Sequence, residues 1–106
     1  RLHHGTLNAM FLPAVVRFNA QAASVQKDRR LERMASAMGL ASATDIPDAI
    51  RDMSARLGLP TGLAAMGVTE DQFDAIIQGA MADHCHKTNP RVATPEEYRA
   101  MLRESL

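Results

Sequence analysis

Between Leu7 and Phe18 the chain carries Leu7, Met10, Phe11, Ala14, Val15 and Phe18 at the spacing of one helix face, while Leu12 and Val16 add apolar surface on the other side. A helix apolar on both sides must be covered by other elements, so the domain has to be built around it. Pro13 falls in its middle, removing one backbone N–H and crowding the carbonyl of Ala9; the apolar pattern beyond it predicts a kink, not a stop. His3 and His4 stand at the mouth of this helix, followed by Gly5, where the backbone can turn tightly or come close to a neighbour. An imidazole there is either a metal ligand or an ordinary histidine, and the residues alone leave both readings open. A helix start favours the neutral imidazole, which is the form that coordinates metals.

The remaining pattern is also helical. Ala20 to Ser24 reads as the frayed end of the first helix, and the mixed-charge run Lys27-Asp28-Arg29-Arg30 as a solvated first turn. Leu31, Met34, Ala35 and Met38 then supply one apolar face, with Gly39 placed to cap its end. A third helix starts at Thr44 or Asp45 with Pro47 in its first turn, buries Ile46, Ala49, Ile50, Met53 and Leu57, and stops at Gly58-Leu59-Pro60. Leu63 to Met66 forms a short helical turn before Gly67. Thr69-Glu70-Asp71-Gln72 is a capping box for a helix carrying Phe73, Ile76, Ile77, Ala80 and Met81 inward, and it runs out near Asp83 or His84. Thr94-Pro95-Glu96-Glu97 opens a last helix anchored by Tyr98, Met101, Leu102 and Leu106. No segment alternates as a strand does, so the class is all-α, a bundle-like domain of about five to six helices spanning 1–106.

Composition excludes several classes. Lysine plus arginine equal aspartate plus glutamate at 12 each, so no net field draws the chain to nucleic acid or to an anionic membrane. No apolar run approaches the roughly 18 residues that a membrane span needs, and Arg1-Leu2-His3-His4 is not a signal peptide. Cys85 is the only cysteine, which rules out an internal disulfide and a cysteine-rich zinc module, and fits a reducing cytoplasm. Seven methionines with three phenylalanines and one tyrosine point to helices packed closely around small residues, with thioethers filling gaps. There is no glycine-rich strand-to-helix turn and no phosphate loop, hence no nucleotide-binding signature of the chain's own.

A second polar cluster, His84-Cys85-His86-Lys87-Thr88-Asn89-Pro90-Arg91, lies between two well-capped helices. Two histidines and a thiol suggest zinc, but adjacent residues point apart, so a loop with surface histidines is the plainer reading. Asn89 and Pro90 favour a turn, and Arg91 suits hydrogen bonds to helix-end carbonyls better than substrate contact.

Two blocks carry a resemblance. His4-Gly5-x-x-Asn8-Ala9-x-x-Leu12-Pro13-x-Val15-x-x-Phe18-Asn19 and Asp83-x-Cys85-x-x-x-Asn89-Pro90-Arg91-x-x-Thr94, with Arg56-Leu57-Gly58-Leu59-Pro60 between them, resemble the iron-containing (group III) alcohol dehydrogenases. The resemblance runs over essentially the whole chain. It implies the carboxy-terminal helical domain of a dehydroquinate-synthase-like fold, belonging to a longer enzyme whose amino-terminal domain binds NAD or NADP. It implies a divalent metal, iron(II) ahead of zinc, held by one aspartate and three histidines, of which His4 matches the last; the other three would lie upstream. Cys85 matches a position close to nicotinamide and substrate in some members. Ala14 departs from the histidine that many members carry after the proline, at a position that is not a ligand. The implied substrates are a small alcohol and its aldehyde or ketone, and a homo-oligomer is compatible. The implied chemistry is Lewis-acid polarisation of the substrate oxygen with hydride passing to or from nicotinamide, His4 giving a metal bond and transferring no proton. The competing reading is a free-standing helical protein-interaction module whose histidines are incidental; an upstream reading frame with a nucleotide-binding domain separates the two.

Overall fold

The computed structural model describes residues 2–106, and these form six α-helices joined by turns and short 3-10 segments, with no strand among them. The helices are α1 (His4–Asn19), α2 (Ala23–Lys27), α3 (Arg30–Ala37), α4 (Ile46–Arg56), α5 (Phe73–Ala82) and α6 (Pro95–Ser105). α1 lies against both α4 and α6, α5 packs on α6, and α2 and α3 pack on each other.

α1 continues through Pro13, and its faces feed three separate parts of the core. Met10 joins Leu63, Val68, Phe73, Ile77 and Leu102 between α5 and α6. Ala14 and Phe18 join Ala93 and Met101 under α6. Val16 joins Ala35, Ile46 and Ile50 under α3 and α4. Removing water from so many apolar side chains at about 25 cal/mol per Å² is what holds a proline-interrupted helix together.

The domain measures 37 × 32 × 19 Å, and 19 Å is only two helices deep at roughly 10 Å each. Each outer helix therefore has one covered face. This corrects the buried stripes that the spacing predicts: Ile46 and Ile50 are buried, but Met53 is 46% and Leu57 70% exposed, and Leu12, Met34, Met38, Ile76 and Met81 are exposed as well. The predicted frayed stretch after Asn19 also differs. It folds into the short α2, pinned by buried Ala22 and Val25, and Arg29 then turns the chain into α3 with a left-handed φ of 50°. Two apolar residues in five are too few to show a period.

The stop signals act as the residues dictate. Gly39 and Gly58 take φ of 74° and 77°, and Leu40 and Leu59 donate their N–H groups back to the Ala35 and Ser54 carbonyls at 2.8 and 3.0 Å. At α6 the Thr94 hydroxyl accepts from Glu97 N–H at 3.1 Å while the Glu97 carboxylate accepts from Thr94 N–H at 3.0 Å. That last contact holds the Glu97 carboxyl below its usual range against an opposing effect of burial, with a lesser contribution from the nearby Arg91 charge. Among the described residues no helix is long and apolar enough to cross a membrane.

Candidate functional site

At the start of α1 the two histidines do different work. His3 is the N-cap, and its Nδ1 accepts from Thr6 N–H at 3.3 Å; Gly5 leaves room for it, since a Cβ there would sit 3.3 Å from the His3 ring. His4 is exposed, and its Nε2 lies 3.2 Å from the Asn8 amide one turn on. The Asn8 Nδ2 group donates to the Nε2 lone pair, so Nε2 is the unprotonated nitrogen and the one that could turn to a metal in place of Asn8. His3 is spent on the backbone, whereas His4 is held only by a side-chain amide on the helix surface.

The end of α1 is tied to the second polar cluster. Arg91 donates to the Phe18 carbonyl in the last turn at 3.1 Å, lies 3.9 Å over the Phe18 ring and pairs with Glu97. The Asn89 amide donates to Asn19 Oδ1 at 2.7 Å and to the Arg91 carbonyl at 2.6 Å, and accepts from Asn19 Nδ2 at 3.2 Å. Every hydrogen of that amide is engaged. Arg91 and Asn89 hold the fold around the site, which agrees with the helix-end role read from the sequence.

Past α5 the chain turns into a 3-10 segment, His84–Lys87, capped by Asp83, whose Oδ1 accepts Cys85 N–H at 2.8 Å. The tight turn gathers side chains that an α-helix would separate: the metal-ligating atoms of Asp83, His84 and Cys85 lie within 4.8 Å of one another, with Cys85 Sγ 3.5 Å from His84 Nε2. The expectation that these neighbours point apart does not hold in this turn. All three are exposed. The Cys85 thiol is pushed above its ordinary range, first by hydrogen bonding to Asp83, then by burial and by the Asp83 charge. It is a thiol and not a thiolate at neutral pH, although His84 stands beside it.

His86 overturns the reading of surface histidines. It is 9% exposed, with Nδ1 2.8 Å from the Tyr98 hydroxyl and its ring tilted 43° to the tyrosine ring. The signal in the sequence was Tyr98 on the inward face of the last helix, since a buried phenol needs a partner for its hydroxyl. Burial first, and the Asp83 charge second, raise Tyr98 above the usual phenol range.

These pieces meet in one cavity of about 510 Å³, walled by α1, the end of α5, the 3-10 turn and α6. His4, Asn8, Asp83, Cys85, His86 and Tyr98 give it polar groups, and Phe11, Val15, Phe18, Ala80, Ala93 and Met101 an apolar wall. His4 and Cys85, from opposite ends of the sequence, thus line a common space. An adjoining hollow of about 470 Å³, mostly apolar, shares Asn8, Phe11, Ala80 and Tyr98 with it.

Residues 1–106 match the model of the Fe-containing alcohol dehydrogenase family, C-terminal. The chain is 58% identical over 105 residues to the 4-hydroxybutyrate dehydrogenase of Cupriavidus necator, covering 99% of this chain and 28% of that protein. It is 29% identical over 114 residues to the NAD-dependent methanol dehydrogenase of Bacillus methanolicus, covering 100% of this chain and 29% of that one. It is 33% identical over 99 residues to the lactaldehyde reductase of Escherichia coli (strain K12), covering 89% and 26%. The chain therefore spans under a third of the length of these curated relatives. No solved structure matches it significantly.

Proposed function

The chain belongs to the Fe-containing alcohol dehydrogenase family, and from that membership we propose that it is the carboxy-terminal helical, metal-binding domain of an enzyme that interconverts an alcohol with its aldehyde or ketone, using NAD or NADP. The observation that carries this reading is the shared cavity of His4 and Cys85. The three relatives described above are named for small alcohols or aldehydes, and the one at 58% identity is named for a primary alcohol that bears a carboxylate. An amino-terminal nucleotide-binding domain is part of the proposal, since the chain carries no nucleotide turn, and so is a cytoplasmic setting, in keeping with its single unpaired cysteine.

The residues present fit a divalent metal at His4. The imidazole is exposed to the cavity, its Nε2 lone pair met only by the Asn8 amide, which a metal would displace, and imidazole suits iron(II) and zinc alike. A metal held there by His4 and by ligands upstream would supply Lewis acidity to the alcohol oxygen, with nicotinamide as the hydride partner. Phe11, Val15 and Met101 hold the carbon skeleton and keep water from the reacting carbon. Cys85, protonated and at the cavity wall, shapes the site without attacking the substrate.

Two experiments test this. Expressed with its upstream sequence, the protein is expected to oxidise short alcohols with NAD and iron(II), while residues 1–106 alone give no turnover above a metal-only control. Turnover by the isolated chain would remove the need for a second domain. In the intact enzyme, Cys85→Ser is expected to keep its metal and stay within about tenfold of normal turnover, roughly 1.4 kcal/mol of barrier. A thousandfold loss with metal and fold intact would give the thiol a direct chemical part.

A further inference from the structure

We propose that His86 is a specificity-determining residue that binds a carboxylate at the far end of the substrate, so that the preferred substrates are hydroxy acids and the corresponding aldehyde acids rather than plain alcohols. This rests on the dehydrogenase reading above and adds to it the polar end of the molecule. His86 is nine-tenths buried and lines the same cavity as His4. Its Nδ1 is taken by Tyr98, and among the described residues nothing lies within hydrogen-bond distance of Nε2. Every fully buried side-chain nitrogen or oxygen among the described residues has a partner, so Nε2 is not sealed in the protein, and the residue that bears it lines the cavity.

Tyr98 also sets the direction of that nitrogen. In the tautomer in which the phenol donates to Nδ1, the proton stands on Nε2 as a donor; a protonated imidazole likewise presents N–H there. Either form offers a hydrogen bond to an anion in a mostly apolar wall, where such bonds are strong. Two other polar groups of the wall are already engaged. Both Asn89 hydrogens are engaged, and the Asp83 carboxylate is held by Cys85 N–H and lies 3.7 Å from His84 Nδ1. A chain of a few methylenes with a hydroxyl at one end and a carboxylate at the other matches this distribution of polar and apolar wall.

The test compares 4-hydroxybutyrate with 1-butanol, which has the same carbon count and no charge, in the full-length enzyme. Wild type is expected to favour the hydroxy acid in kcat/KM. His86→Leu is expected to lose about 10- to 100-fold on 4-hydroxybutyrate, the range of one hydrogen bond to a charged group, and less than about threefold on 1-butanol. His86→Gln, which keeps a neutral donor, falls between. Butyrate binding followed by calorimetry, without turnover, weakens in the same order. Equal losses on both substrates would make His86 a structural residue and overturn the proposal, as would unchanged discrimination or butyrate affinity. If His86→Leu does not fold, His86→Gln and the calorimetry decide. A wild type that oxidises 1-butanol but not the hydroxy acid sinks this inference and leaves the dehydrogenase standing; activity on neither removes both.

Discussion

In the intact enzyme, His4→Ala is expected to strip most of the bound metal and to lower turnover by about a thousandfold or more, with the helical circular dichroism unchanged. A Lewis acid contributes several kcal/mol to such a barrier, and about 4 kcal/mol is a thousandfold. Altering groups that merely support a ligand already costs about 10–100-fold in affinity, so deleting a ligand costs more. The fold survives because His4 is exposed and its one side-chain partner is Asn8. His3→Ala is the matched control. It deletes the cap of α1, worth about 1 kcal/mol of stability, and should leave the metal in place. Elemental analysis of the purified variants separates them. Full metal occupancy in His4→Ala would move the ligand elsewhere, and His3 would be the next residue to test.

Phe73→Ala should have the largest effect on stability. Phe73 is fully buried in the cluster that joins α1, α5 and α6, so truncation removes a large apolar surface and leaves a cavity, at about 3–5 kcal/mol. For a domain of this size that is roughly 12–40 °C in Tm at about 4–8 °C per kcal/mol. A loss below about 1 kcal/mol in urea unfolding would mean that the core collapses around the gap. The variant also tests whether the turn bearing Cys85 and His86 depends on α5, since that turn begins directly after it.

The helices were legible where composition and geometry agree. Both capping boxes, the glycine stops and the inward faces of α1 and α6 follow from residue chemistry at fixed spacing, and the structure has them. Burial was less legible, because periodicity reports which residues share a face and not whether anything covers it. Met53 and Leu57 share the stripe of Ile46 and Ile50, but the covered face of α4 continues through Pro47 and Ser54 and leaves them outside. Likewise the gathering of Asp83, His84 and Cys85 depends on a 3-10 turn, in which i and i+2 come closer than spacing rules for an α-helix allow. The His86–Tyr98 pair was invisible for another reason. It joins residues twelve apart through a bend, and only the unmet need of a buried phenol hinted at it.

The doubled amide pair between Asn19 and Asn89 constrains how this chain can drift. Each residue offers its oxygen to the other's N–H, and the second Asn89 hydrogen is committed to the Arg91 carbonyl. Aspartate at either place would set oxygen against oxygen, and glutamine would carry the amide one methylene too far. Neither position can change first without a penalty, so across descendants of a common ancestor the two should be kept or exchanged in concert, although 70 residues separate them. Correlated substitution at this pair, read from a deep set of relatives, would record the contact as a linked inheritance, with the two ends of the chain evolving as one locus.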